Sequence, residues 1–396
     1  MEEPRRFELV PRLDDSYSRE SIDRRRRWIE ERTGAALDLV GAFSLDGERM
    51  RGNVENPIGA VQMPLGVAGP LEIDGEHARG TFYVPLATTE GALVRSYERG
   101  MAAITRAGGA RTRVWADENR VAPLFHLADV AEAREFALQV EASFETIRAE
   151  AESTTRHGRL LRLECIPIGR EVIVDFRYHT ADAQGMNMAV KATDQACRWI
   201  LANTRAERYS IFSGFDSEKR ASGALFAGGK GKRVTAGVRL PARIVRAYLH
   251  TTPEGIVETW RQTVLGHLQA ASLGYNGHYA NGLTALFIAC GQDVANVANS
   301  AVGITSFERT GEGDLYASVT LPSLSVATVG GGTGLGTSRE CLEMLGCFGP
   351  GGAPRLAEIA AATVLAGELS MGAAIASGEF VDAHETYGRN RPEQGG

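Results

Sequence analysis

The sequence predicts an α+β protein. A large discontinuous α/β domain with a central buried helix carries an inserted ferredoxin-like (βαββαβ) small domain, and a helical N-terminal segment precedes both. Three observations carry this. Residues 122–212 read as strand, helix, strand, strand, helix, strand, the split-βαβ order. Glycine-rich mixed segments flank that unit on both sides, so the larger body is interrupted by it. The stretch HYANGLTALFIACGQDVANV, residues 278–297, is apolar on nearly every face, which puts a helix in the middle of a domain. The expected boundaries are 1–54 for the N-terminal segment, 55–121 with 213–391 for the large domain, 122–212 for the insert, and a tail at 392–396.

The elements follow in order. Ser18 is placed to cap a helix running through Ile22, Arg25 and Ile29. The basic run Arg24–Arg27 reads as its solvated face, because Glu20/Arg24, Asp23/Arg27, Arg26/Glu30 and Arg27/Glu31 are i,i+4 pairs. In the insert, 124–127 is a short strand. Residues 129–153 form a helix with Ala133, Phe136, Val140, Phe144 and Ile147 on one face. Strands at 160–168 and 171–179 meet at Gly169-Arg170, a helix covers 194–203, and a strand covers 208–212. Beyond a Gly/Lys loop at 228–232 come a strand at 234–240, a helix at 242–249, and the apolar helix. Strands at 317–321 and 325–329, a glycine cluster at 330–336, and helices at 338–346 and 355–377 complete the chain.

Composition excludes several classes. With 396 residues, 43% apolar, 23% charged and a net charge of −6, the chain is an ordinary globular protein with no basic footprint for nucleic acid. No apolar stretch approaches the ~20 residues that cross a bilayer, and the charged start argues against a secretory signal. No membrane association is therefore expected. Cys165, Cys197, Cys290, Cys341 and Cys347 are odd in number and contain no CxxC, which points to reduced thiols and a cytoplasmic location. The eight histidines show no metal spacing, so no metal is expected.

Six features carry chemistry, and each has a plainer reading. In VPLATTEGALVRSYERG, Glu90 is an acid among small and apolar residues, either in the first turn of a helix capped by Thr88 or Thr89, or a functional carboxylate. GGGTGLG lets backbone N–H groups approach an anion, or makes a tight turn. It matches neither GxGxxG nor GxxxxGK[ST]. DAQGMN, 182–187, binds a ligand or makes an Asx-turn. FDSEKR, 215–220, is a solvated linker or a substrate clamp. Asp293, on an apolar helix, needs a lysine or arginine from elsewhere. DAHETYGRN, 382–390, is an ordered flap or a polar end.

Taken in order, the stretches resemble one family. They are ENPIGAVQMPLGVAGPL (55–71), ATTEG (87–91), DAQGMNM (182–188), GYNGHYANGLTALFIACGQD (274–293), SLSVATVGGGTGLG (323–336), CLEMLG (341–346) and AGELS (366–370). They are similar to the soluble catalytic region of 3-hydroxy-3-methylglutaryl-CoA (HMG-CoA) reductases. The likeness is to the class I-like form shared by eukaryotes, archaea and some bacteria, over about residues 50–391, and that family's membrane anchor is not expected here. The resemblance implies NADPH-dependent four-electron reduction of an acyl-CoA thioester, HMG-CoA to mevalonate and CoA through a bound aldehyde, in isoprenoid precursor synthesis. NADH is the alternative reductant, coenzyme A is part of the substrate, and a homodimer or higher oligomer with its active site at the subunit interface is implied.

Residue by residue, the resemblance implies a catalytic set of Lys219 (oxyanion partner), Asp293 (its pair), Glu90 (proton donor to the aldehyde, buried near Asp293) and His384 (proton donor to the CoA thiolate). Asp182, Met186, Asn187, Gly331, Gly332, Arg389 and Asn390 correspond to cofactor contacts. Ser96, Arg99, Ser213, Glu218, Arg220, His278, Asn281 and Ser370 correspond to substrate or CoA contacts. The chain departs from the family at ENRVAP, 118–123. Val121 stands where an arginine usually holds the substrate's terminal carboxylate, and Arg120 lies one residue early. A rearranged clamp and a different acyl thioester are the resulting alternatives. A non-catalytic CoA- or nucleotide-binding homologue is a separate rival that the presence of Glu90, Lys219, Asp293 and His384 together argues against.

Overall fold

A computed structural model describes residues 9–379. Helix α1 (Arg19–Thr33) starts at Ser18, whose hydroxyl accepts the Ser21 N–H, and stops at Gly34 in the left-handed region. Its basic run is not simply a solvated face. Arg25 is fully buried and its guanidinium donates to the carbonyls of Pro11 (3.0 Å), Ser16 (2.8 Å) and Pro57 (3.3 Å). The charge spacing describes an isolated helix, whereas the chain on either side folds back over this one. After the short α2 (Asp38–Gly41), β1 (Leu65–Gly75) and β2 (Arg79–Ala87) form an antiparallel hairpin, and α3 (Leu93–Arg106) packs on it. β3 (Ala110–Val121) begins parallel to β1 and runs on into the inserted unit.

That unit comprises β4 (Leu124–His126), α4 (Val130–Ala142), α5 (Phe144–Glu152), β5 (Arg159–Ile168), β6 (Glu171–His179), α6 (Met186–Asn203) and β7 (Arg208–Ser210). Its strands lie in the order β7-β4-β6-β5, all antiparallel, around a core that includes Phe125, Phe136, Ile147, Phe176, Tyr178 and Ile200. Asp129 caps α4 by accepting the N–H groups of Ala131 and Glu132. The single helix expected over 129–153 is broken at Ser143, which ends α4 and starts α5. The next helix begins at Met186 rather than 194, because Gly185 at φ 70° turns the polar DAQG stretch straight into α6.

The larger body resumes with β8 (Lys230–Leu240), α7 (Ala242–Leu249), α8 (Pro253–Gln269), α9 (Tyr279–Ala289) and α10 (Val297–Ser300). It ends with β9 (Ile304–Arg309), β10 (Leu315–Leu324), α11 (Gly336–Met344) and α12 (Gly352–Ser377). The sheet is continuous through both parts, β7-β4-β6-β3-β8-β10-β9. The helix expected over 278–297 stops at Ala289: Gly291 takes φ 62° and the Gln292 N–H closes on the Phe287 carbonyl. The strand expected at 325–329 is irregular. Its Ala327 backbone bonds to the Gln292 side chain at 2.7 and 2.9 Å instead of to a neighbouring strand. α12 is, against the sequence reading, long and apolar enough by composition to span a bilayer, yet 83% of its most apolar window is buried within the molecule.

α12 holds the β1–β2 turn through one fully buried carboxylate. Glu358 accepts the consecutive N–H groups of Glu76 (3.1 Å), His77 (2.9 Å) and Ala78 (2.7 Å). Glu358→Ala leaves three donors unpaired, each costing about 1–3 kcal/mol. Because Glu76 and His77 are exposed and water can take over their N–H groups, a total loss at the lower end of that sum, about 3–5 kcal/mol, is expected in urea unfolding, with Glu358→Gln intermediate.

Candidate functional site

Residues 213–220 form an irregular segment between β7 and β8. Within it Ser217 (φ 54°) and Lys219 (φ 55°) both adopt the left-handed region without being glycine, at about 1–2 kcal/mol each. This conformation projects the Lys219 ammonium to 2.7 Å from Asp293 Oδ2. Asp293 is not buried on a helix as expected. α9 has already ended, and Asp293 caps the 3-10 turn Val294–Asn296, its Oδ1 accepting the Ala295 N–H at 3.1 Å. The hydrogen bond to Asp293 pushes the Lys219 ammonium above the ordinary lysine range.

Glu90 is exposed rather than buried. The Thr88 hydroxyl accepts its N–H, and α3 starts only at Leu93 with no side-chain cap, so the first-turn reading does not hold either. Its carboxylate receives the Asn281 amide at 2.8 and 3.0 Å. Asn281 lies in the first turn of α9, and Asp293 lies beyond the other end of that helix. Its 11 residues span about 16 Å. The structure therefore forms two pairs, Lys219–Asp293 and Glu90–Asn281, at opposite ends of one helix.

A third cluster gathers Ser96, Arg99 and Ser370. The two hydroxyls are 3.0 Å apart, and Arg99 donates to Ser370 Oγ (3.0 Å) and to its carbonyl (2.6 Å). His278 stacks on Tyr97 at 5.1 Å between centroids, and its carbonyl accepts the Tyr97 hydroxyl. Ser213 donates to the Ala122 carbonyl at 2.6 Å, and Arg220 lies 3.8 Å from Asp216. Glu218 pairs with Lys230, which is almost wholly buried. Burial pulls the Lys230 ammonium below the usual lysine range, against the attraction of Glu218.

Among the expected cofactor residues, Asp182 spends its carboxylate on the chain itself, accepting the N–H groups of Gly351 (2.8 Å) and Ala353 (3.0 Å) at the start of α12. Met186 Sδ sits 3.2 Å from the Lys230 ammonium, and Asn187 is exposed on the first turn of α6. Gly331 and Gly332 begin a 3-10 turn, and Gly332 crosses Gly291 so closely that a Cβ on either would strike the other's carbonyl. His384, Arg389 and Asn390 lie outside the described residues. Among the described residues no cluster of His, Cys, Asp or Glu suits a metal ion.

Sequence reasoning passed over Arg120 as a structural group, together with Asp175, Lys230, Gln292 and Glu368. Val121 is fully buried in the small core, and Arg120 is buried against Asp175 at 3.0 and 3.1 Å. Glu368 lies inside α12, taking the Thr305 hydroxyl at 2.6 Å and the Gly277 N–H at 3.2 Å, and burial pushes its carboxyl up. Asp175 and Glu368 carry a sequence signal, a charge inside an otherwise apolar run; Arg120, Lys230 and Gln292 carry none of that kind.

Comparison with known proteins follows the same lines. The family model described as hydroxymethylglutaryl-coenzyme A reductase matches residues 21–389. The 3-hydroxy-3-methylglutaryl-coenzyme A reductase of Methanothermobacter thermautotrophicus is 44% identical over 93% of this chain and 94% of its own. That of Methanocaldococcus jannaschii is 43% identical over 96% of both. In fold, the chain is similar to the class II enzyme of Streptococcus pneumoniae, solved bound to NADPH in open conformations. The TM-score is 0.67 at 19% identity, over 91% of this chain and 99% of that one.

The contact of Asp182 with α12 is testable without any ligand. Gly351 offers no side chain to cap the helix, so Asp182→Ala removes the carboxylate that caps it. The expected cost is about 1–2 kcal/mol in chemical denaturation, with Asp182→Asn losing less.

Proposed function

The chain belongs to the hydroxymethylglutaryl-coenzyme A reductase family, and from that premise we propose that Lys219, held by Asp293, carries its chemistry. The reaction is the reduction of HMG-CoA to mevalonate and CoA. Two hydrides and two protons are consumed: one hydride and one proton release CoA as its thiol and leave an aldehyde, and the second pair makes the alcohol. NADPH, when bound, supplies the hydrides.

The observation that carries the reading is the 2.7 Å contact between Lys219 and Asp293. An ammonium aimed by a carboxylate and kept protonated by it is suited to meet the negative charge that grows on a thioester carbonyl oxygen. Glu90, oriented by the Asn281 amide, is the proposed proton donor to the aldehyde oxygen, and His384 the donor to the departing thiolate. Ser96, Arg99, His278 and Ser370 are assigned to the CoA end, and Ser213, Glu218 and Arg220 to the border of the acyl site. The donors at the small unit fit a dinucleotide phosphate. α6 begins with no side-chain cap, Asn187 is exposed beside it, and Met186 and the Gly331–Gly332 turn complete the assignment. Asp182 supports that surface from behind through α12, and Arg389 with Asn390 is assigned to the cofactor's far end.

We read the assembly as a homodimer in the cytoplasm. The two pairs lie towards opposite ends of α9, and on this reading they belong to different active sites. An isologous arrangement that sets Glu90 and Asn281 of one copy against Lys219 and Asp293 of a second would complete the site.

Lys219→Ala should lower kcat for NADPH oxidation with HMG-CoA by about 10²–10³-fold while leaving NADPH binding, followed by fluorescence, intact. Retention of most of kcat overturns the assignment, and faster turnover with another acyl-CoA in a small panel would redirect the substrate. Because Asp293 raises the Lys219 pKa, activity that needs the ammonium should persist to high pH. Asp293→Asn should move the alkaline fall of kcat to lower pH.

A further inference from the structure

The segment that places Lys219 is irregular and adopts unfavourable backbone at two positions, so its shape must be imposed by neighbours. Residues of the small unit do this, and they converge on Arg120 at the end of β3. Its guanidinium is buried, and Nε lies 3.0 and 3.1 Å from the two oxygens of Asp175. Asp175 is itself gripped by Arg177 at 2.8 Å, and Arg177 in turn reaches Glu118 at 3.4 Å. The plane of the Arg120 guanidinium is thus fixed from behind. Its free side meets Phe215, four residues before Lys219. Nη1 donates to the Phe215 carbonyl at 3.2 Å, and the guanidinium carbon lies 4.5 Å over the Phe215 ring. The Arg120 carbonyl receives the Lys230 ammonium at 3.4 Å, and Lys230 pairs with Glu218, the residue before Lys219. One residue therefore restrains the segment on both sides of Ser217, the first of its two left-handed positions.

We propose that Arg120 is a positioning residue for the reduction. Clamped by Asp175, it holds Phe215 and so sets the backbone from which Lys219 reaches Asp293, without itself touching the substrate. The inference rests on the reading of Lys219 given above. Lysine cannot replace it: an ammonium still answers the charge of Asp175 but offers neither a planar face nor a second fixed N–H to Phe215.

The test compares Arg120→Lys, which keeps the buried charge, and Phe215→Ala, which removes the stacked ring from a half-buried position without stranding a charge. Lys219→Ala is the reference. Both positioning variants are expected to lose about 10- to 100-fold in kcat, with KM for NADPH unchanged and urea midpoints too little shifted to account for the loss. The Lys219 ammonium is faced by Asp293 and Glu218. Loosening its contact with Asp293 should also bring the alkaline fall of kcat to lower pH in both variants. If Lys219→Ala is inactive while Arg120→Lys and Phe215→Ala keep the parent kcat and pH profile, the positioning role is overturned. It is equally overturned if activity falls only in proportion to the folded fraction. If Lys219→Ala stays active, the reading of the site fails instead.

Discussion

The contact between Lys219 and Asp293 joins two segments that are far apart in the chain, and the function we propose depends on it. Both side chains are partly exposed, 44% and 38%, so the pair adds little to stability. Its value lies in direction. The ammonium is held charged and aimed at a fixed point by a carboxylate that itself caps a turn. A strained segment is tolerable on one side of this contact because a firm network of arginine, lysine and carboxylate groups lies beneath it.

The second organising element is α12. Along this one buried helix, Asp182 of the small unit caps the start, Glu358 holds the β1–β2 turn, Glu368 takes donors from the turn before α9 and from β9, and Ser370 receives Arg99. The loop at Asp182, the hairpin and the Ser96–Arg99–Ser370 cluster are thereby referred to a common rod. Each buried carboxylate on it is answered by N–H or hydroxyl donors, which is the condition for placing such groups in a core. Displacement of any of these parts would have to break a hydrogen bond to the same helix.

Much of this architecture was legible from periodicity and turn residues. The Ser18 cap and the Gly169-Arg170 hairpin are local signals and appear in the structure as read, and the strands of the small unit follow the expected order although its first helix is split at Ser143. The cationic partner expected for Asp293 is present as Lys219, although the buried helical position that calls for it is not: Asp293 lies past the end of α9 and is partly exposed. What was not legible depends on the rest of the chain. Arg25 looks solvent-facing by spacing, yet distant carbonyls enclose it. The end of α9 is set by Gly291 and by Gln292 reaching across to Ala327. Apolar flanks suggest a buried Glu90, but Thr89, Glu90 and Gly91 form an exposed link between the buried Ala87 and Leu93. Arg120 and Asp175 are 55 residues apart, and no local pattern pairs them.

The crossing of Gly291 and Gly332 carries a consequence of a different kind. Two turns from separate parts of the chain share a volume in which neither has room for a methyl group. These positions are therefore not independent letters: a larger residue at one cannot be rescued by any choice at the other, since both are already minimal. Drift at this crossing is closed in both directions. Variation among descendants of this sequence must accumulate around the junction and leave its two glycines as a fixed point.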